Sequence, residues 1–476
     1  MLFNSIDFAI FLPIVFLIYW GLNRHRQAQN LFIVVTSYLF YGWWDWRFLS
    51  LLFLSSVSDF VIASFMTKTA NQNKKKVLLW CSLGLNIAVL GFFKYYNFFV
   101  DQFATAFSFF GFDITPGRLN IILPVGISFY TFQTLSYTID VYYGKLSPTR
   151  NIVSFLAFVS FFPQLVAGPI ERATNLLPQF ERDRTFDYSN AIDGCRQILW
   201  GLVKKIVIAD NAATYVNMIF ENSDAYSGST LFLGAFLFAF QIYGDFSGYS
   251  DIAIGTAKLF GFSLMQNFAF PYFSRDIAEF WRRWHISLST WFRDYVYIPL
   301  GGSRVDTIKK IRNTFVIFIL SGFWHGANWT FIFWGLLHTC YFLPLLMFDR
   351  NRRNLGDVSS GRLLPTVKDA ASILITFNLV LIAWIFFRSA SIGQSIAILG
   401  KIFSPSLLSV PDVRPVGVLL LIGAFIIIEW LGRQNRYAIE QIGNYSRPVR
   451  WATYYILTLT ILAFGGTQQD FIYFQF

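Results

Sequence analysis

Four histidines stand in the 476 residues, His25, His285, His325 and His338, and two of them sit where an imidazole could do chemistry. His325 lies in SGFWHGANWTFIFWG (321–335), inside a run of Phe, Trp, Ile and Leu. Gly322 and Gly326 flank it, with Ser321 and Asn328 close by. Glycines let backbones approach closely and let a helix bend. Ionisable groups at membrane depth are costly and by default mark a buried pathway or site. A neutral imidazole held out of bulk water is a good general base for a hydroxyl. The plain alternative is a histidine that only hydrogen-bonds a neighbouring helix. His338, in WGLLHTC, reads as such a satisfied core histidine, and His25, in the first basic loop, as a solvated one.

His285 lies in EFWRRWHISLSTWFRDYVYIPLGGSR (279–304). Phe280, Trp284, Leu288, Trp291 and Tyr295 recur at three- and four-residue intervals and give an apolar helical face. Arg282, Arg283, Ser289, Arg293 and Asp294 occupy the rest, the pattern of an amphipathic helix lying in the membrane interface. Either its arginines anchor to lipid phosphates, or Arg282, Arg283 and Arg293 line with His285 the mouth of a cavity that accepts a phosphate-bearing ligand. In FQIYGDFSGYSDIAIG (240–255), Gln241, Asp245 and Tyr249 share one helical face, while Tyr243, Ser247 and Asp251 share nearly the opposite one. A helix polar on both sides cannot face lipid, so it must be buried in a bundle.

The elements that must position these residues are membrane helices. The chain is 55% hydrophobic, 20% aromatic and only 14% charged, against roughly 25% charged residues in soluble domains. Apolar runs of ~17–25 residues, long enough to cross a bilayer, recur at 6–22, 31–46, 48–66, 77–100, 119–141, 194–218, 230–257, 327–348, 370–388, 415–432 and 451–465. Two shorter pieces, 152–168 and 313–325, read as re-entrant or half-spans. The first run has no preceding basic residue and no small-residue cleavage site, so it is expected to be retained as a span. With no internal repeat and no long polar stretch, residues 1–476 read as one integral membrane domain. Basic loops at 67–76, 301–312, 349–369 and 433–450 are expected on the cytoplasmic side, which puts the N-terminus outside. The net charge of +11 is explained by those loops rather than by nucleic acid. Cys81, Cys195 and Cys340 have no metal-ligand spacing and read as small buried hydrophobes. No metal site is expected.

These motifs resemble the membrane-bound O-acyltransferase family, and more narrowly its alginate O-acetyltransferase branch. FWRRWHISLSTWFRDYVYIPLGGSR followed by SGFWHGANWTFIFWGLLH carries the resemblance. MLFNSIDFAIFLPIVFLIYW, LPVGISFYTFQTLSYTIDVYYGK (123–145), FFPQLVAGPIER (161–172) and YGDFSGYSDIAIG (243–255) extend it over essentially the whole chain. The resemblance implies an all-α polytopic protein with about 11–12 transmembrane helices ringing a buried tunnel, together with re-entrant and interfacial amphipathic helices. It implies His325 at the narrowest point and His285 as the second catalytic histidine. Asp245, Asp251 and Asn328 are candidates for the polar lining, with the carboxylates of 240–255 read first as ties between helices. It further implies a bacterial inner-membrane O-acetyltransferase for extracytoplasmic polysaccharide, with acetyl-CoA as donor substrate, no bound cofactor, and an extracytoplasmic partner acyltransferase or the polysaccharide itself as acceptor. D-alanyl transfer from an acyl carrier protein is the rival within enzymes. A polysaccharide or anion transporter is the rival outside them, since intramembrane Asp245, Asp251 and His325 would suit it too.

Overall fold

The computed structural model describes residues 1–112, 115, 117–466, 469, 471 and 472, and among them every regular element is helical. Among the described residues five helical runs are long and apolar enough to cross a membrane: Arg26–Lys68, Gln72–Phe109, Gly228–Leu259, Trp329–Met347 and Val367–Arg388. Shorter apolar helices occupy Ile6–Gly21, Ile392–Ile402 and Val416–Gly432. The fold is all-α and polytopic, as the composition requires. The chain groups into two compact units, Met1–Ala191 with Ala257–Leu264, and Ile192–Thr256 with Met265–Phe476.

In the first unit the helix Ile127–Tyr142 is buried at every residue from Ile127 to Thr138. It carries polar groups into the interior, and these are partnered across helices. Asp59 accepts from Ser82 Oγ at 2.6 Å and from Asn86 Nδ2 at 2.9 Å, and Thr134 Oγ1 donates to Asn86 Oδ1 at 3.2 Å. Where no water can serve, such groups must find each other; each interhelical bond then adds about 0.6 kcal/mol. The segment 119–126, expected to be the start of a span, is not helical. The piece at 152–168 forms two short helices, Ile152–Ser160 and Phe162–Leu165. Nine residues cover about 14 Å, half of a hydrocarbon core of ~30 Å. That helix is too short to cross alone.

In the second unit the helix Gly228–Leu259 packs on the helical run through Tyr188–Leu202 and the π-helical turn Val203–Ala209. Glycines set the spacing. A Cβ at Gly248 would stand 2.7 Å from the Gly201 carbonyl oxygen, and one at Gly201 would stand 2.6 Å from that of Gly248. Small residues at such a crossing bring two backbones into contact. Residues 237–256 are buried without a break, which the two polar faces of 240–255 demanded.

Four expectations change. The half-span 313–325 is the end of a 19-residue helix, Thr307–His325. A helix not anticipated, Ile392–Ile402, follows the span Val367–Arg388. Cys81, Cys195 and Cys340 are exposed on their helices rather than buried. The amphipathic segment is not one helix: it breaks into Ile277–Arg283 and Ile286–Phe292.

Candidate active site

His325 is the last residue of Thr307–His325, and after a three-residue turn Trp329–Met347 begins. The two helices cross in direct backbone contact. Gly322 lies against the carbonyl of Phe331, and Gly335 of the second helix lies against the carbonyl of Phe318 in the first. The glycine flank of His325 is therefore a close-approach device. Asn328 caps the second helix, its Oδ1 accepting from Thr330 N at 3.0 Å while its Nδ2 donates to Ala390 O at 3.2 Å. Its side chain fastens the turn beside the histidine.

Rings enclose the His325 imidazole, which is 3% exposed. Trp324, Trp334 and Phe387 stand 5.0, 5.1 and 5.2 Å away between centroids, each edge-on. Trp324 is shared: its ring lies 5.9 Å from that of His285. The two histidines that the sequence singled out are thus both brought against one indole. His338 lies one turn beyond Trp334, 4.8 Å between rings, and its Nδ1 accepts from Trp281 Nε1 at 3.2 Å. It is the hydrogen-bonded core histidine expected. His25 is exposed.

His285 sits at the break between the two short helices, with φ +43° and ψ +55°. This left-handed conformation is uncommon for a residue with a Cβ and is held here from outside. The backbone of 267–269 takes up the bonds that the broken helix gives up: Ala269 N donates to Arg283 O, and Ile286 N donates to Asn267 O, both at 2.9 Å. Neither helix, at 7 residues each, is long enough to span. The His285 ring is fully buried, with Phe246 edge-on at 4.6 Å and Phe268 at 6.4 Å. Burial lowers its pKa to about 3, so the ring is neutral at physiological pH.

Two arginines of this segment, Arg282 and Arg283, hold a loop. Arg282 donates to Asn351 O and Asn354 O at 2.8 and 2.7 Å. Arg283 pairs with Glu279 at 3.1 Å and Asp357 at 3.6 Å. Arg293 is exposed and pairs with its neighbour Asp294. Arg283 also borders a polar cleft of about 580 Å³, to which Arg433, Arg436, Gln266 and Asn435 contribute.

Asp245 and Asp251 belong to a buried ionic network that the sequence reading missed. Lys205 lies 2.8 Å from both Asp245 and Asp210, and Lys204 lies 2.9 Å from Asp251 and 3.5 Å from Glu429. Glu429 also accepts from Tyr243 Oη at 2.6 Å and from Trp200 Nε1 at 3.2 Å. The signal was present: two adjacent lysines in the apolar run 194–218, and a lone glutamate in 415–432.

A model described as the membrane-bound O-acyltransferase family matches residues 145–387. The probable alginate O-acetylase AlgI of Pseudomonas putida is 37% identical over the whole of both chains. The peptidoglycan O-acetyltransferase of Helicobacter pylori is 36% identical over 84% of this chain and 79% of its own. A teichoic acid D-alanyltransferase of Streptococcus thermophilus is 29% identical over 57% of this chain and 69% of its own.

Proposed function

Since the chain belongs to the membrane-bound O-acyltransferase family, an enzyme family, we propose that it passes an acetyl group from a cytoplasmic thioester, acetyl-CoA, to a hydroxyl acceptor for O-acetylation of polysaccharide outside the cell. A transporter without chemistry does not fit that membership. The acetyl branch is favoured over D-alanyl transfer because the O-acetylating relatives align over most of the chain and the D-alanyl relative over little more than half. The inner membrane and an outer N-terminus complete the reading, the latter from the basic loops.

The observation that carries the mechanism is the ring-lined burial of His325. Attack of a hydroxyl oxygen on the thioester carbonyl needs its proton removed as the C–O bond forms, and a neutral imidazole there accepts it. The tetrahedral adduct then expels the thiolate, the C–S bond breaks, and the imidazolium returns the proton to sulfur. Acetyl ester and free thiol are the products. Holding donor and hydroxyl at one dry point favours transfer over hydrolysis. The polar cleft beside Arg283 and Arg433 is the proposed mouth for the phosphate-bearing donor, guanidinium groups being suited to phosphate. Asp245 and Asp251 hold the helix that backs the site, and Asn328 holds the turn that presents His325. The acceptor is the polysaccharide or an extracytoplasmic acyltransferase that relays to it.

The test is reconstitution in lipid with acetyl-CoA and, in parallel, an acyl carrier protein thioester. Acetyl turnover from acetyl-CoA that falls by about 10²–10⁴-fold in His325→Ala, at unchanged membrane abundance, is expected. Turnover from the carrier protein alone would replace the donor, and a fully active His325→Ala would remove the base.

A further inference from the structure

The tautomer of His285 is legible from its neighbours, and it decides what that ring can touch. Asn267 Oδ1 lies 3.3 Å from the backbone N of Ser287. An N–H can only donate, so the amide atom facing it is the oxygen. The same oxygen accepts from Ser287 Oγ at 2.9 Å, and Asn267 Nδ2 on the other side donates to Ser250 Oγ at 3.1 Å. The amide is thus oriented by three partners besides the histidine. His285 Nδ1 stands 3.1 Å from that oxygen. An oxygen without a hydrogen can only accept, so Nδ1 carries the proton and Nε2 keeps the lone pair. Asn267 also acts through its backbone, taking the Ile286 N–H at 2.9 Å across the helix break. It is fully buried, and Ser250 belongs to the buried helix Gly228–Leu259.

We propose that Asn267 is a positioning residue: it fixes His285 as the Nδ1–H tautomer, so that the ring meets substrate only as a hydrogen-bond acceptor through Nε2. The proposal rests on the reading that His285 belongs to the transfer site. A neutral imidazole so held cannot donate through Nε2 to a phosphate oxygen or to the thioester carbonyl. Its substrate contact must be a donor, either the acceptor's hydroxyl or an amide N–H on the donor's arm. This separates His285 from the arginines: the ring reads a donor group, and phosphate is left to the guanidinium groups.

Two measurements on the full-length protein in lipid test it. The first is ¹⁵N NMR of histidine-labelled protein, in which His285 is assigned as the signal lost in His285→Ala, one of only four histidines. A neutral ring protonated at Nδ1 is expected in the wild type, and in Asn267→Asp, which retains the accepting oxygen. Protonation at Nε2 in the wild type would overturn the assignment. The second is acetyl turnover. Asn267→Leu is expected to lose about 10–100-fold in kcat, the scale of loss when a group orienting a metal-ligating histidine is removed, with Asn267→Asp restoring most of it. A poorly inserted Leu variant leaves the Asp variant and the NMR signal to decide. Equal turnover in wild type and Asn267→Leu, alongside an impaired His285→Ala, would overturn the positioning role. An Nδ1–H signal with an undiminished His285→Ala would instead overturn the placement of His285 in the site while leaving its tautomer standing.

Discussion

Gly322→Ala is the most informative single change, because it adds one methyl group outside the chemistry and moves His325. The new Cβ would stand 3.0 Å from the Phe331 carbonyl carbon and nearer still to its oxygen. Both are backbone atoms, so no side chain can swing aside. Ordinary contact begins at 3.4 Å, and the crossing with Trp329–Met347 must open before the methyl fits. Gly335 meets the Phe318 carbonyl in the same way, so the strain cannot be relieved by sliding the helices along each other. Overpacking of this kind costs about 1–3 kcal/mol, which a bundle of this size tolerates. The catalytic cost is larger: an opening on the order of 1 Å at His325, three residues away, corresponds to about a 10²-fold loss in rate. Gly423→Ala is the control, a helical glycine with nothing within 4 Å of its Cβ position. It should leave turnover unchanged and add a few tenths of a kcal/mol or more of stability. Acetyl release from reconstituted protein, normalised to folded protein by size exclusion and thermal unfolding, is the assay. A Gly322→Ala enzyme with wild-type turnover would refute the claim that the glycine crossing positions His325.

Three further outcomes are expected. Lys204→Met leaves Asp251 and Glu429 buried without their shared cation and should cost about 3–5 kcal/mol, read as lowered thermal stability in detergent; an unchanged melting curve would deny the network a structural role. Arg282→Ala frees Asn351 O and Asn354 O, so proteolysis of the 349–357 loop should rise several-fold; a rise in the donor's KM without any change in proteolysis would assign Arg282 to donor binding instead. Cysteines introduced at Lys75 and Asp224, in a background free of the three native ones, should label from opposite sides of the membrane, and labelling from one side would reverse the orientation drawn from the basic loops.

What could be read in the sequence, and what could not, follows from the solvent. In lipid an apolar residue gains nothing by choosing a protein core over a hydrocarbon face. Hydropathy therefore found apolar helices but could not say which side of a helix is inside, and Cys81, Cys195 and Cys340 were read as buried when they are exposed. Polar residues are the opposite case, because only the interior can satisfy them. That is why the two-sided polarity of 240–255 located a buried helix from spacing alone, and why His325 stood out. The same logic applied evenly would have found Lys204, Lys205 and Glu429, each a charge inside an apolar run. The break at His285 is of another kind. Phe280, Trp284, Leu288 and Trp291 keep helical spacing straight through it, and all four are buried. What turns the backbone there is Asn267, some eighteen residues back along the chain, bonding both the imidazole and the next amide. Local periodicity cannot encode that contact. It fixes the amphipathic face, while the distant amide decides where the face bends.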